Sequence, residues 1–149
     1  MKSVIVYYSK HHGNTKKLLD KIAVECGADL IDATEVKQAD LSGYDLIGFA
    51  SGIYYSKFQK SVLDFAEQNL PEGKRVFFIY TCGSMRKGYT DLIEQTVRAK
   101  NADIAGTYGC KRYDTFGPFK LVGGIAKGHP DGGEIVGAVE FFKKTAQQN

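Results

Sequence analysis

Residues 4–15 have the sequence VIVYYSKHHGNT, and this stretch decides the fold. It begins as a buried strand, passes through a short polar loop and leads into a helix that we expect to begin at about Asn14. Because the first N–H groups of a helix have no acceptor within it and its dipole favours negative charge, this arrangement predicts an anion cradle, with phosphate as the expected guest. The helix itself is indicated by apolar residues at helical spacing: Leu18, Leu19, Ile22, Ala23 and Cys26.

The predicted cradle combines side-chain donors with accessible backbone. Hydroxyl and amide groups of the loop can donate hydrogen bonds to an anion, and a glycine lets the backbone approach it closely. We expect the two histidines to position or neutralise a phosphate rather than to transfer protons. The alternative is an ordinary strand-to-helix turn with a Ser or Asn cap. The candidate binding residues are Ser9, Lys10, His11, His12, Gly13, Asn14 and Thr15.

The loop lacks both of the common nucleotide-binding signatures. The sequence contains no G-x-x-x-x-G-K-[ST], which excludes a Walker-type ATP site. No G-x-G-x-x-G follows the first strand, so we do not expect a dinucleotide site.

The rest of the chain alternates strands with helices. Further strands are predicted over residues 28–33, 44–50, 75–81 and 102–110, and helices over about 58–70 and 89–97 and from Asp131, where Glu134 completes a capping box. Alternation implies right-handed crossovers and parallel strands. We therefore predict a single domain over residues 1–149 of the α/β class, a doubly wound sandwich with a five-stranded parallel sheet in the order 2-1-3-4-5 and helices on both faces.

Ligands of such sheets bind at the carboxyl ends of the strands, so the loops there are the expected site. SGIYYSKF follows the third strand and CGSMRKGY follows the fourth. Aromatic rings beside flexible backbone suit a flat isoalloxazine, which needs stacking surfaces and hydrogen-bonding groups at its rim. The alternative for the two tyrosines is packing at the start of a helix. The candidate residues are Ser51, Gly52, Ile53, Tyr54, Tyr55, Thr81, Cys82, Gly83 and Ser84.

These motifs resemble those of flavodoxin-like FMN proteins across essentially the whole chain. The phosphate loop, with three residues between Ser9 and Gly13, is more similar to the quinone- and protoporphyrinogen-reactive branches than to the commonest flavodoxins. ASGIYYSKF at residues 50–58 resembles the second flavin loop of the menaquinone-dependent protoporphyrinogen dehydrogenases. CKRYDTFGPFK and GGIAKGHP, from residue 110 to residue 130, resemble the C-terminal signature of small bacterial flavodoxin-family proteins. The resemblance implies a flavodoxin-like fold and FMN as the cofactor.

The amino-acid composition excludes several other classes of protein. A chain of 149 residues with 43% hydrophobic content can bury a full core. It has no apolar run long enough for a membrane span, and its three cysteines lack the spacing of a zinc site or a disulfide scaffold. The first strand begins by Ser3, which leaves no room for a signal peptide. We therefore expect a cytoplasmic protein without a metal; the oligomeric state stays open.

The charge departs from that of typical flavodoxins, which resemble one another in being strongly acidic. This chain has a formal net charge of +3. A basic rim of loops around the predicted ligand site would favour an acidic redox partner or a small anionic substrate; the alternative is that these charges are simply solvated. We do not expect nucleic acid as a partner. The predicted ligand-side loops carry Lys10, Lys57, Lys60, Arg86, Lys87, Lys111, Arg112, Lys120 and Lys127.

Three functions remain open from the sequence. The first is a flavodoxin-type FMN protein that transfers electrons, for which no catalytic residue is assigned. The second is an FMN-dependent oxidoreductase acting on a quinone or a protoporphyrinogen-like anion. The third is a flavin-free binding module.

Neighbouring strands four and five of the predicted sheet bring Cys82 and Cys110 to one edge. The two residues could form a disulfide or remain two buried free thiols, and we favour the thiols.

Overall fold

The computed structural model describes residues 1–10, 13–111 and 128–148. None of the helices in these ranges has both the length and the apolar composition needed to cross a membrane. In chain order the elements are β1 (Ser3–Tyr8), α1 (Asn14–Cys26), β2 (Asp29–Asp32), β3 (Leu46–Tyr54), β4 (Lys57–Phe58), α2 (Lys60–Asn69), β5 (Arg75–Cys82), α3 (Asp91–Arg98), β6 (Asp103–Lys111) and α4 (Gly132–Gln147).

The sheet has the predicted topology. Its path through the described residues is β2-β1-β3-β5-β6, and every neighbouring pair on that path is parallel. The two-residue β4 lies off the path and pairs antiparallel with the end of β3. Without β4, this is the order 2-1-3-4-5, which confirms the flavodoxin-like doubly wound fold.

Each face of the sheet has its own hydrophobic core. In β1, Val4 and Val6 point into the cluster beneath α2 and α3, while Ile5 and Tyr7 point into the cluster beneath α1 and α4. Because consecutive side chains of a strand point to opposite faces, a strand covered on both sides must be apolar almost throughout. Full burial of a side chain such as Ile5 contributes about 1.5–3 kcal/mol to folding.

The third strand is longer than its apolar pattern predicted. We expected it to end at residue 50 and to be followed by a loop, but β3 continues to Tyr54. Ser51 pairs with β1 and β5, Gly52 pairs with β5 and Ile53 pairs with β4, and all three residues are buried. The backbone there is therefore satisfied by sheet hydrogen bonds. The true connection is a two-residue hairpin turn at Tyr55 and Ser56.

The start of α4 is fixed by a capping box, as the sequence predicted. The Asp131 carboxylate accepts the Glu134 N–H at 2.8 Å, and the Glu134 carboxylate accepts the Asp131 N–H at 3.0 Å. Glu134 also accepts the N–H of Lys111 at 3.1 Å and contacts the His129 ring. The carboxylates of Asp131 and Glu134 therefore cap the helix, and that of Glu134 also ties α4 to the end of β6.

We predict that Asp131→Ala lowers the free energy of unfolding by about 0.5–2 kcal/mol, because it removes an N-cap that nothing else replaces. Urea denaturation followed by circular dichroism measures this change. Glu140→Ala, on an exposed position of the same helix, is the matched control and should stay within about 0.5 kcal/mol of the parent. Equal stability of the two variants would show that the capping box does not hold the helix.

Candidate functional site

The carboxyl ends of three strands and the first turn of α1 meet at one edge of the sheet. The hydroxyl of Thr15, in α1, lies 2.8 Å from the hydroxyl of Thr81, near the end of β5, and the pair is buried. In the sheet register Gly52 of β3 lies opposite Thr81, and Tyr8 of β1 lies opposite Ser51. Three of the predicted loops therefore converge, although they are far apart in sequence.

Buried polar residues concentrate at this edge. The buried polar residues of the described chain are Ser3, Asn14, Thr15, Ser51, Thr81 and Thr145. All but Ser3 and Thr145 belong to the predicted binding loops. Since a buried polar group is costly unless it is hydrogen-bonded, such a concentration requires a defined hydrogen-bonding arrangement at the edge.

The N-terminus of α1 differs from those of the other described helices. Its N-cap, Gly13, supplies no side-chain bond, and its first turn contains no acidic residue. By contrast, α2 and α4 are capped by Gln59 and Asp131, and α3 carries two acids in its first turn. The positive end of the α1 dipole is thus left without a carboxylate, which favours an anion there.

The polypeptide approaches α1 in a conformation that exposes backbone donors. Gly13 has a φ of 62°, in the left-handed region that glycine adopts without steric cost, and no atom lies within 4 Å of the position of a Cβ. The Ser9 hydroxyl accepts the N–H of Lys16 at 3.1 Å. That hydroxyl keeps its own proton, so it can donate to an anion while it supports the helix.

The hairpin formed by β3 and β4 places two tyrosines at the edge. The Tyr54 ring packs edge-on against the ring of Tyr8, with centroids 5.7 Å apart. Tyr55 is 81% exposed and, like Ser56, has a positive φ, 52° and 64° respectively. Ile53 is buried in the core beneath α2 and α3, so it is not a surface against which a flat ligand could stack. The two tyrosines are the hairpin side chains that offer such a surface.

The Ser51 side chain already has partners within the chain. Its hydroxyl accepts the N–H of Gln59 at 3.0 Å and donates to the carbonyl of Gly52. The hydroxyl therefore ties the end of β3 to the start of α2. This role was not predictable from the sequence, because Gln59 falls within the predicted helix and has no feature that links it to Ser51.

Tyr89 and Tyr80 support the loop that follows β5. The hydroxyl of Tyr89 donates to the carbonyl of Ser84 at 2.7 Å, and the Tyr89 ring packs against Tyr80. Tyr80 in turn lies over Gly109 of β6, where a Cβ would come within 2.1 Å of the ring. Gly83 and Ser84 are therefore presented at the edge on an aromatic support, with Ser84 exposed.

The structure decides between the two expectations for the cysteines. Cys82 belongs to one core cluster and Cys110 to the other, so their side chains point to opposite faces of the sheet. All three cysteines, including Cys26, are free. Burial raises the pKa of the Cys110 thiol to about 12. The disulfide is excluded, and the favoured alternative of two buried thiols is confirmed.

Other sequence predictions fall outside the described residues. These are the phosphate-loop histidines His11 and His12, and the cations Arg112, Lys120 and Lys127 of the long connection before α4. Lys10 is described and exposed at the start of the phosphate loop. Tyr8 was not among the site residues predicted from the sequence. Its position at the end of an apolar strand, next to the phosphate loop, was the signal that could have identified it.

Known proteins resemble this chain in sequence. The family model of the flavodoxin domain matches residues 5–120. An uncharacterized protein of Methanocaldococcus jannaschii is 38% identical over 145 residues, which cover 96% of this chain and 97% of that protein.

Solved structures resemble it in fold. A flavodoxin from the domain Archaea has a TM-score of 0.67 and 18% identity, covering 99% of this chain and 100% of its own. Flavodoxin 2 from Bacillus cereus has a TM-score of 0.67 and 19% identity, covering 99% of both chains. A flavoprotein from Lactobacillus acidophilus, solved in complex with FMN, has a TM-score of 0.55 and 21% identity over 72% of this chain and 92% of its own.

We predict three titratable thiols in denatured protein purified without reductant. In the native protein, a brief exposure to N-ethylmaleimide should label Cys26 first, because it is partly exposed whereas Cys82 and Cys110 are 1% and 5% exposed. Peptide mass spectrometry identifies the labelled sites, and Cys26→Ser should abolish the fast reaction. A bridge mapped between Cys82 and Cys110 would contradict the observed side-chain directions.

Proposed function

Because this chain belongs to the flavodoxin domain family, we propose that it binds FMN at the carboxyl edge of its sheet and transfers electrons through it. FMN, when bound, supplies an isoalloxazine ring that accepts and releases electrons. The residues of the chain bind the cofactor, orient its ring and limit its contact with water. The observation that carries the proposal is the N-terminus of α1, whose N-cap residue supplies no side-chain bond, whose first turn has no acid and which adjoins the buried Thr15–Thr81 pair.

The phosphate is assigned to the loop before α1 and to its first turn. The backbone N–H groups there point along the helix axis towards the edge, and the helix dipole adds a favourable potential for a dianion. Ser9 and Thr15 add hydroxyl donors from two sides. When the Thr15 hydroxyl accepts the proton of Thr81 in their mutual bond, it keeps its own proton to donate to the anion. The proposed phosphate-binding site is completed by Lys10, His11, His12, Gly13 and Asn14.

The ring is assigned to the space between the two edge loops. Tyr54, held against Tyr8, offers an aromatic face in a fixed orientation, and Tyr55 extends beyond it. The backbone of residues 81–84, which follows β5, offers donors and acceptors for the polar rim of the ring. Ser51, Gly52 and Ile53 support this arrangement from within β3, since their strand pairing fixes where the hairpin begins.

The first prediction concerns the identity of the ligand. Protein purified from its expression host should be yellow, and mass spectrometry of the heat-released ligand should find FMN as the major flavin. A cradle for one terminal phosphate, without a pyrophosphate fingerprint, favours FMN over FAD or a nicotinamide dinucleotide. A dinucleotide as the major species, or apoprotein that does not bind added FMN, would refute the proposal.

The second prediction separates phosphate binding from ring binding. Thr15→Ala should weaken FMN binding by about 1–3 kcal/mol, because a hydrogen bond to a charged oxygen is lost. Riboflavin has the same ring but no phosphate, so its affinity should fall much less, by the part that the lost Thr15–Thr81 bond contributes to the shape of the edge. Fluorescence quenching of each flavin by the apoprotein gives both dissociation constants.

A matched control is available on α3. Among the described residues, the Thr96 hydroxyl donates to the carbonyl of Leu92 in its own helix, at 2.9 Å. Thr96→Ala should therefore leave both affinities unchanged. If Thr15→Ala weakens riboflavin as much as FMN, Thr15 shapes the fold of the edge and does not bind the phosphate.

A further inference from the structure

Two neighbouring loops form an exposed surface beside the proposed cofactor site, here called the basic edge surface. It consists of Tyr55, Lys57, Met85, Arg86 and Lys87, all of which are exposed. The two hydrophobic side chains among them are 81% and 48% exposed, respectively. Exposed aromatic and methionine side chains next to a cluster of cations are the composition typical of a protein-docking site.

The fold brings the two halves of this surface together. The first half is the β3–β4 hairpin, and the second is the loop between β5 and α3. Because β3 and β5 are paired up to Gly52 and Thr81, both loops leave the sheet at the same edge. On the underside, Phe58 of β4 packs against Phe78 of β5 with ring centroids 6.2 Å apart.

The cations of this surface have no acids among them. Residues 55–59 and 83–90 contain three basic residues and no Asp or Glu. At the opposite edge of the sheet, cations and acids are interspersed. There the Arg75 guanidinium lies 3.6 Å from the Asp103 carboxylate, and Asp45 accepts the backbone N–H of the neighbouring Lys2 at 2.8 Å. The basic edge surface therefore carries three positive charges, with the carboxylate of Asp91 beside Gly88 at its margin, and its net charge is positive.

The hairpin presents its part of the surface in a fixed shape. Tyr55 and Ser56 occupy the left-handed region, which matches the twist of a two-residue hairpin turn. Tyr54 pairs with Lys57, and Ile53 pairs with the buried Phe58. Since little backbone freedom remains to be lost on docking, the surface is pre-organised.

We propose that the basic edge surface docks the acidic face of a redox protein. This inference rests on the proposed function, since it names the partner of that site. Tyr55 and Met85 form the apolar centre of the contact, and Lys57, Arg86 and Lys87 pair with carboxylates around it. The charge has the opposite sign to that expected of a strongly acidic carrier, and it selects against basic partners by like-charge repulsion.

The test compares two haem proteins as electron acceptors for the flavin-loaded, dithionite-reduced protein. One is an acidic b5-type cytochrome and the other is a basic c-type cytochrome. Each ferric haem accepts one electron and becomes ferrous, so two cytochromes reoxidise one two-electron-reduced protein and the protons pass to water. Stopped-flow absorbance measures the association rate. We expect the rate with the acidic cytochrome to fall about tenfold as ionic strength rises from about 0.01 M to about 0.5 M, because salt screens the attraction.

Charge-reversal variants locate the effect. K57E/R86E should slow the acidic cytochrome about tenfold, accelerate the basic one and leave the bound flavin content unchanged. K143E/K144E is the matched control, because it changes the net charge equally in the last part of α4, at the other edge of the sheet. Equal effects of the two variants, or a faster reaction with the basic cytochrome at low salt, would overturn the proposal.

Two further measurements separate this proposal from the proposed function. Calorimetry of the acidic cytochrome with flavin-free protein should show salt-sensitive binding that K57E/R86E abolishes, whether or not FMN is the cofactor. Oxidation by ferricyanide, a small anion, should depend on K57E/R86E much less than oxidation by the acidic cytochrome. An equal dependence would overturn protein docking, because the surface would then attract any anion.

Discussion

The hydrogen bond between the hydroxyls of Thr15 and Thr81 is the contact on which the carboxyl edge depends. It joins the first turn of α1 to the end of β5, and both residues are buried. If either hydroxyl were removed, the other would be a buried polar group with one partner fewer, which costs more than the net value of the bond. The bond thereby fixes the distance between the start of α1 and the loop after β5. The proposed phosphate and ring sites lie on those two segments.

Strand alternation then determines which side chains reach this edge from within the sheet. Thr81 lies opposite Cys110, and Cys82 lies opposite Lys111. Side chains paired across parallel strands share a face, so Cys82 and Cys110 cannot. A shift of one residue in β6 would place the two thiols on the same face. The separation of Cys82 from Cys110 is therefore a consequence of register, which neither spacing nor composition of the sequence reveals.

The sheet order was predictable because alternating apolar runs and helical stripes leave few topologies once crossovers are right-handed. The phosphate loop was predictable because strand, glycine and helix start are contiguous. Contacts between distant segments were not. Nothing local links Thr15 to a residue 66 positions away, or Ser51 to Gln59. The end of β3 was misplaced because SGIY has small and polar residues typical of a loop, and only its pairing with β1, β5 and the short β4 makes it extended.

α1 and α4 both begin at this edge, and their N-termini are capped differently. In α4 the Asp131 carboxylate accepts the N–H of Glu134, and the Glu134 carboxylate accepts the N–H groups of Asp131 and Lys111, which ties the helix to β6. In α1 the N-cap is a glycine without a side-chain acceptor. A carboxylate at that N-terminus would stabilise the helix by about a few tenths of a kcal/mol and would place a negative charge where the proposed phosphate lies. The α1 N-terminus therefore gives up stability that α4 retains, and such a local loss is expected where a ligand completes the structure.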